Sequence, residues 1–304
     1  MNHVLVTGAS GFLGLAVVNR LLADGCKVTA LARSPMDRSR QNLMTELFDL
    51  TQSSFADLPT KVSAVIHCAA AIPTRFDDLE GAEKLLQINS LGTLRLLDWA
   101  KQSGIPRFVN CSSFSIYQRP APLPIPESHP AYPSGHATYY AVSKLAAETY
   151  ASSMNSREFI VCSLRFSSLY GPGMKASGVL PNFITLAIRG ESIKIATNPA
   201  SQFDFLYVDD AARAIVACLT EYPSYTVYNI GAGRGVTLPE LAENCWAAFG
   251  LATAPLIHWD DASSSVSHFV LDIARAQQDL GYSPAIDLSS GLHQMKLHVD
   301  QEHR

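Results

Sequence analysis

The opening of the chain constrains its fold more than any other feature. A strand-length apolar run, His3–Thr7, passes through the loop Thr7-Gly8-Ala9-Ser10-Gly11-Phe12-Leu13-Gly14 into helical spacing over Phe12–Asp24, and a second apolar run follows at Lys27–Ala32. Strand, glycine turn, helix and strand in this order form a βαβ unit, whose two strands lie parallel. The rhythm continues with apolar runs at Val62–Cys68, Arg107–Cys111 and Phe159–Arg165, and with helical spacing at Leu79–Ser103 and Thr138–Asn155. Runs rich in Val, Ile and Leu that alternate with helices predict an α/β fold, a parallel sheet covered on both faces.

Beyond Arg165 the rhythm loosens. Gly171-Pro172-Gly173 breaks the chain; a helix near Pro181–Arg189 and a short strand, Ser192–Ala196, follow. The run Phe203–Val208 and a helix over Asp209–Leu219 read as a return to the first domain. A helix at Pro239–Phe249 comes next, and the chain is expected to end in a helix near Ile273–Leu280. The expected division is a dinucleotide-binding domain of residues 1–168 plus about 203–230, and a smaller, interleaved α/β substrate domain of about 169–202 plus 231–304. Tyr117–Gly135 carries six prolines and is read as a long loop, functional or mobile.

The glycine loop carries the first chemical signal. Glycines 8, 11 and 14 allow a tight turn, close approach to a pyrophosphate, and packing of the helix on the strand. The helix start offers free N–H groups to the phosphates. Gly8, Ser10, Gly11, Phe12, Leu13 and Gly14 are therefore assigned to a bound dinucleotide. An acid at the end of the second strand would receive the ribose 2′-hydroxyl of NAD. The residues there are Leu31-Ala32-Arg33-Ser34, and Arg33 suits a 2′-phosphate instead, so NADP is expected, with NAD the alternative.

Composition removes other classes. Hydrophobic residues make up 47% and charged residues 16%, a globular balance that excludes disorder and coiled coil. Lys and Arg number 23 against 27 Asp and Glu, for a net charge of −4, so nucleic acid is not expected as a partner. Apolar runs such as Phe159–Leu164 are too short to span a bilayer. No basic, signal-like segment precedes the first strand. Six scattered cysteines without a C-x-x-C pair read as reduced core thiols, with neither disulfide nor metal site, and the expected location is cytoplasmic.

The second signal is Tyr140-Ala-Val-Ser-Lys144. Spacing i, i+4 places phenol and ammonium on one helical face, where the cation is expected to favour the phenolate. Such a tyrosine exchanges a proton with an alcohol or carbonyl while a nicotinamide exchanges the hydride. Tyr139 has only Ser143 at i+4.

Taken with the glycine loop, these residues resemble the extended short-chain dehydrogenase/reductase family, the NAD-dependent epimerase/dehydratase group, over essentially the whole chain. Asp49-Leu50 resembles the adenine-contacting pair after the third strand, and His67-Cys68-Ala69-Ala70 the H-x-A-A loop under the cofactor. Asn89-Ser90-Leu91-Gly92-Thr93 resembles the N-x-x-G-T helix motif, and Cys111 to Tyr117 the strand-end segment carrying the catalytic Ser or Thr. Leu164-Arg165-Phe166, Tyr170-Gly171-Pro172-Gly173, Phe205 to Asp210, and Leu271-Asp272 through Leu280-Gly281-Tyr282 match as well. The resemblance implies a Rossmann-type doubly wound sheet and a catalytic set of Ser113, Tyr140 and Lys144. It also implies cofactor contacts from Asp49, Leu50, Ala69, Ala70, Ala71, Tyr140, Lys144 and Phe166, and a homodimer built on the two long helices.

Departures from the family pattern bear on substrate. Phe114-Ser115 stands where dehydratases carry Asp-Glu, which disfavours dehydration. Ser168 replaces the Asn of R-x-x-N, and Phe203 replaces the Arg of R-D-F that commonly clamps a substrate phosphate. His136, at the end of the proline loop, is a candidate proton donor with an exposed-loop alternative. The leading expectation is an NAD(P)-dependent reductase or dehydrogenase acting on a small carbonyl, alcohol or sugar. A sugar or nucleotide-sugar epimerase is the alternative, and a non-catalytic NAD(P) sensor the second.

Overall fold

The valine- and isoleucine-rich runs fold as strands because both of their faces are covered. In β1 (His3–Thr7), Val4 and Val6 enter the apolar cluster on one side of the sheet and Leu5 the cluster on the other. The computed structural model describes residues 2–302 except 38, 74–78, 136, 196–197, 222, 250–254, 256 and 260–265. His136 thus lies outside the described residues.

From β1 the chain runs through α1 (Phe12–Ala23), β2 (Lys27–Ala32), β3 (Leu43–Leu47), β4 (Ala64–His67) and α2 (Leu79–Leu85). A π-helical stretch over Leu86–Gly92 joins α2 to α3 (Thr93–Gln102), and β5 (Arg107–Ser113), α4 (Thr138–Met154) and β6 (Ile160–Phe166) follow. Next come β7 (Ser168–Tyr170), α5 (Val179–Arg189), β8 (Ile193–Ile195), β9 (Gln202–Phe203), β10 (Phe205–Tyr207) and α6 (Val208–Thr220). The last elements are β11 (Val227–Ile230), β12 (Val236–Thr237), α7 (Leu238–Ala248), β13 (Ile257–Trp259), β14 (His268–Phe269), α8 (Ala274–Leu280) and α9 (Leu288–Glu302).

Seven strands form one parallel sheet in the order β11-β6-β5-β4-β1-β2-β3. This is the Rossmann-type doubly wound architecture. Side chains of α1, α6 and α8 fill one face, and those of α3 and α4 the other. The order reverses between β1 and β4, so the loops leaving their C-terminal ends diverge and open a crevice. A separate apolar cluster gathers α5, α7 and α9 with Tyr170, Tyr207 and Phe205.

Four sequence expectations change. The single run Phe203–Val208 is broken at Asp204, whose buried carboxylate accepts hydrogen bonds from the Ala232, Gly233 and Leu271 amides. Phe203 and Phe205 therefore fall in different small sheets, and the strand that returns to the main sheet is β11, beside β6. A further helix, α9, follows α8; its mixed polar sequence hid it, although Leu292 and Met295 are buried in the second cluster. Edge strand β3 shows no apolar run for the same reason, since only Leu43 of its five residues is buried, and in sequence it is implied only by the resemblance, as the third strand before Asp49. The proline-rich loop is stitched down rather than loose. Ile125 is buried, donates its N–H to Val270 O (2.8 Å) and accepts from Asp272 N (2.9 Å).

Candidate active site

The crevice is lined by Gly8, Ser10 and Gly11 from the loop after β1, Arg33 from the end of β2, Asp49 and Leu50 after β3, and Ala69 to Ala71 after β4. Thr7, Leu31, Ala32, Phe48, Cys68 and Ile88 also line it, and of these Phe48 and Ile88 carry no expectation from sequence. Gly8 lies at φ +65°, and a Cβ on it would sit 2.6 Å from the backbone of Ala69. A Cβ on Gly14 would meet the Gly8 carbonyl oxygen at 2.1 Å, so the loop packs on bare backbone. Gly11 caps α1, whose first amides, those of Phe12, Leu13 and Gly14, have no acceptor within the helix. Backbone pressed this closely against a crevice at a helix start suits the pyrophosphate of a dinucleotide. Phe12, Leu13 and Gly14 offer backbone only, and their side-chain positions lie outside the crevice wall.

A chain of buried hydrogen bonds holds the crevice in shape. His67 bonds Thr7 Oγ1 through Nδ1 (2.7 Å) and Thr93 Oγ1 through Nε2 (2.9 Å). Thr93 donates to the Asn89 carbonyl (2.6 Å). Asn89 clamps Ala71 by accepting from its N–H (2.7 Å) and donating to its carbonyl (3.0 Å), and it donates to Ser143 Oγ (3.0 Å). Ser143 in turn donates to the Tyr140 carbonyl (2.7 Å). The strand ends at the crevice are thereby tied to the helix carrying the tyrosine. Burial pushes the His67 imidazole down to about 3, with the Lys144 charge adding to the effect, so the ring is neutral.

Ser113 ends β5 on the side of the Tyr140 phenol, whose pKa its hydroxyl lowers; that hydroxyl also accepts from the Ser115 N–H (3.2 Å) and lies 2.9 Å from Ser115 Oγ. Ser112, one residue earlier, points to the other side and donates to Glu148 Oε2 (2.9 Å). Lys144 is buried and its ammonium donates to the Cys111 carbonyl. Glu148, one further turn along α4, holds Arg165 in a buried pair (Nε to Oε2, 3.1 Å). Its spacing of two turns from Tyr140 was the signal available in sequence. Phe166 is buried in the core, paired in register with Ser113 and outside the crevice wall.

The expected electrostatics of the tyrosine are reversed. Desolvation pushes the Tyr140 phenol up to about 12, against the opposing pull of the Ser113 hydrogen bond. The lysine does not offset this, because its ammonium is engaged by a carbonyl and burial lowers its own pKa. In the unliganded protein the phenol is held protonated.

Comparisons with known proteins agree with this geometry. The chain is 30% identical to a dTDP-glucose 4,6-dehydratase of Streptomyces griseus, an alignment covering 95% of this chain and 92% of that protein. It is 28% identical to a UDP-glucose 4-epimerase of Mycolicibacterium smegmatis, over 95% and 96% of the two chains. Among solved structures, MoeE5 in complex with UDP-glucuronic acid and NAD superposes with a TM-score of 0.85 at 30% identity, covering 99% of each chain. A UDP-N-acetylglucosamine 4-epimerase from Bacillus cereus gives 0.83 at 26%, over 98% and 99%. The family model for the NAD dependent epimerase/dehydratase family matches residues 4–231. With the glycine cradle, the parallel sheet and the Tyr140 helix in one frame, the chain belongs to the NAD-dependent epimerase/dehydratase family, enzymes of the extended short-chain dehydrogenase/reductase type.

Proposed function

We propose that the protein is an NAD(P)-dependent oxidoreductase that interconverts an alcohol and a carbonyl. The observation that carries this reading is the Ser113 hydroxyl facing a protonated Tyr140 phenol beside the dinucleotide crevice. A bound nicotinamide supplies the hydride or receives it. Ser113 donates a hydrogen bond to the substrate oxygen and orients it. The Tyr140 hydroxyl gives its proton to that oxygen as the carbonyl is reduced and takes one back from the alcohol in the reverse direction. Lys144, on the same helical face, would turn its ammonium from the Cys111 carbonyl toward the ribose of a bound cofactor, where its charge would stabilise the phenolate left behind. In binding the cofactor, the α1 amides would face the pyrophosphate, Asp49 and Leu50 would hold the adenine, and Ala69 to Ala71 would lie under the cofactor.

Arg33 favours NADP, since it is an exposed guanidinium at the crevice wall with no acid at the strand end. The NAD found with MoeE5 favours the alternative. Residues 1–168 plus about 203–230 form the cofactor unit in this reading, and about 169–202 plus 231–304 the substrate unit. Exposed Leu86, Leu91, Tyr139 and Val142 lie on the two long helical segments and support a homodimer joined there. The second reading, an epimerase acting on a sugar or nucleotide sugar, is favoured by the relatives' activities. Dehydration is disfavoured, because Phe114 and Ser115 offer no carboxyl beside Ser113.

The test is turnover per folded molecule, after screening small carbonyls and nucleotide sugars with NADPH and NADH. Tyr140→Phe keeps the ring and removes the proton, so turnover should fall roughly 10²–10⁴-fold with cofactor affinity nearly unchanged. A variant as active as the parent overturns the mechanism and favours a non-catalytic cofactor sensor.

A further inference from the structure

Beside Ser113, Phe114 begins an aromatic wall that carries an arginine with no ion-pair partner among the described residues. Phe114 meets the Phe269 ring edge-on at 5.6 Å, and Phe203 stacks on Phe269 at 5.6 Å with the planes 8° apart. Arg119, from the proline-rich segment, places its guanidinium carbon 3.6 Å from the Phe269 ring centre and 5.9 Å from that of Phe114. All four side chains are partly exposed, so they form a rim and not a sealed core. Arg119 Nη1 donates to the His268 carbonyl (3.0 Å), which fixes the plane of the guanidinium.

Stacking occupies the face of a guanidinium and leaves its in-plane N–H groups unsatisfied. Arg119 Nη2 is shielded from water and has no acceptor among the described residues. His268 Nδ1 is in the same state, so two orphaned polar atoms belong to two residues already joined by a hydrogen bond. The desolvation shows in the Arg119 pKa, which is lowered to about 10.

Arg165, which is buried, is treated differently. Arg165 faces Glu148 directly. Glu127 is held by Arg275 (3.6 Å) and the Asn229 amide (2.9 Å), and the Asp204 carboxylate by three backbone amides. These carboxylates have partners of their own, and among the described residues Arg119 has no ion-pair partner.

We propose that Arg119, with His268 beside it, binds an oxyanion of the substrate, a carboxylate or a phosphate, while a flat apolar body of that substrate lies against Phe114 and Phe203. This deepens the oxidoreductase reading and rests on it: Ser113 and Tyr140 take the reacting oxygen, and Arg119 takes the charged far end. One arginine and one histidine suit a single oxyanion, in keeping with the phenylalanine at 203. Arg119 thereby becomes a specificity-determining residue.

The test uses three flat aldehydes, 4-formylbenzoate, its methyl ester and 4-formylphenyl phosphate, titrated calorimetrically into the full chain saturated with NADP⁺, where no reduction occurs. An oxyanion on a guanidinium predicts roughly ten- to a hundred-fold tighter binding of a charged probe than of the ester. The better of the acid and the phosphate identifies the oxyanion. Arg119→Met, checked by its melting temperature, should bring charged and uncharged probes to similar affinity. Arg119→Lys, which keeps the charge without the fork, should retain only part of the preference. Equal affinity for acid and ester in the parent protein overturns the proposal without need of any variant. Absence of binding by all three probes at millimolar concentration, or an unchanged preference in folded Arg119→Met, overturns it too. NADPH oxidation with the same probes separates the two readings: acid binding that depends on Arg119, without reduction of any carbonyl, counts against the reductase and not against the subsite.

Discussion

His67 offers a test of the hydrogen-bonded frame under the cofactor. Its imidazole is fully buried between Thr7 and Thr93 and held neutral, with a pKa near 3 against 6.5 when exposed. A base whose folded pKa is depressed binds fewer protons folded than unfolded, so its contribution to stability falls as pH drops below 6.5. At pH 5 the unfolded chain gains about 1.5 pH units of protonation free energy, or about 2 kcal/mol, that the folded chain forgoes. Asp204 works in the opposite sense. Burial raises its carboxyl to about 6, so it favours the folded state as pH falls through that value. The two effects overlap in the parent protein, which is why the comparison must be differential. His67→Gln removes the imidazole and leaves Asp204 in place. Urea unfolding of both proteins at about pH 7.5 and pH 5 should show the penalty of His67→Gln shrinking by about 2 kcal/mol at the lower pH. A penalty that stays constant would mean that His67 protonates in the folded state, and the buried neutral ring would be refuted.

Gly14→Ala places a methyl carbon against the Gly8 carbonyl; it should destabilise the fold by about 1–3 kcal/mol and weaken NAD(P)H binding, read by thermal melting and cofactor fluorescence. The parent protein should bind NADPH more tightly than NADH, and Arg33→Ala should narrow the gap; equal dissociation constants in the parent would remove Arg33 from this role. Lys144→Ala should reduce both turnover and cofactor affinity, whereas Ser113→Ala should act mainly on turnover, a contrast that steady-state kinetics and cofactor titration resolve. Light scattering at micromolar concentration should give the mass of a dimer, and a monomeric mass would refute pairing through the long helices.

Much of the cofactor half was legible in sequence because its signals are local. The strands announce themselves as short apolar runs, since a parallel sheet buries both faces, and the glycine loop lies within eight consecutive residues. Tyr140 and Lys144 are four apart on one helix, so their proximity follows from helical geometry alone. Segments with weak or mixed apolar patterns were not legible: edge strand β3, and α9, which packs its few buried residues on a distant cluster. Nor could spacing show that Asp204 interrupts an apolar run, because its partners are the amides of Ala232, Gly233 and Leu271, far along the chain.

Electrostatics depended most on the tertiary structure. From sequence, a lysine one turn from a tyrosine favours the phenolate. In the folded chain the ammonium is taken by the Cys111 carbonyl and the phenol is desolvated, so the tyrosine is held protonated. The same holds for Arg119, an ordinary loop arginine on paper, which the fold carries onto Phe269 from 150 residues away in sequence, with no carboxylate opposite it among the described residues. The sequence determined which groups the protein has and which lie within one turn or one strand of each other. Burial and long-range partners decided their charge, because desolvation depends on everything packed around a group and not on its neighbours in the chain.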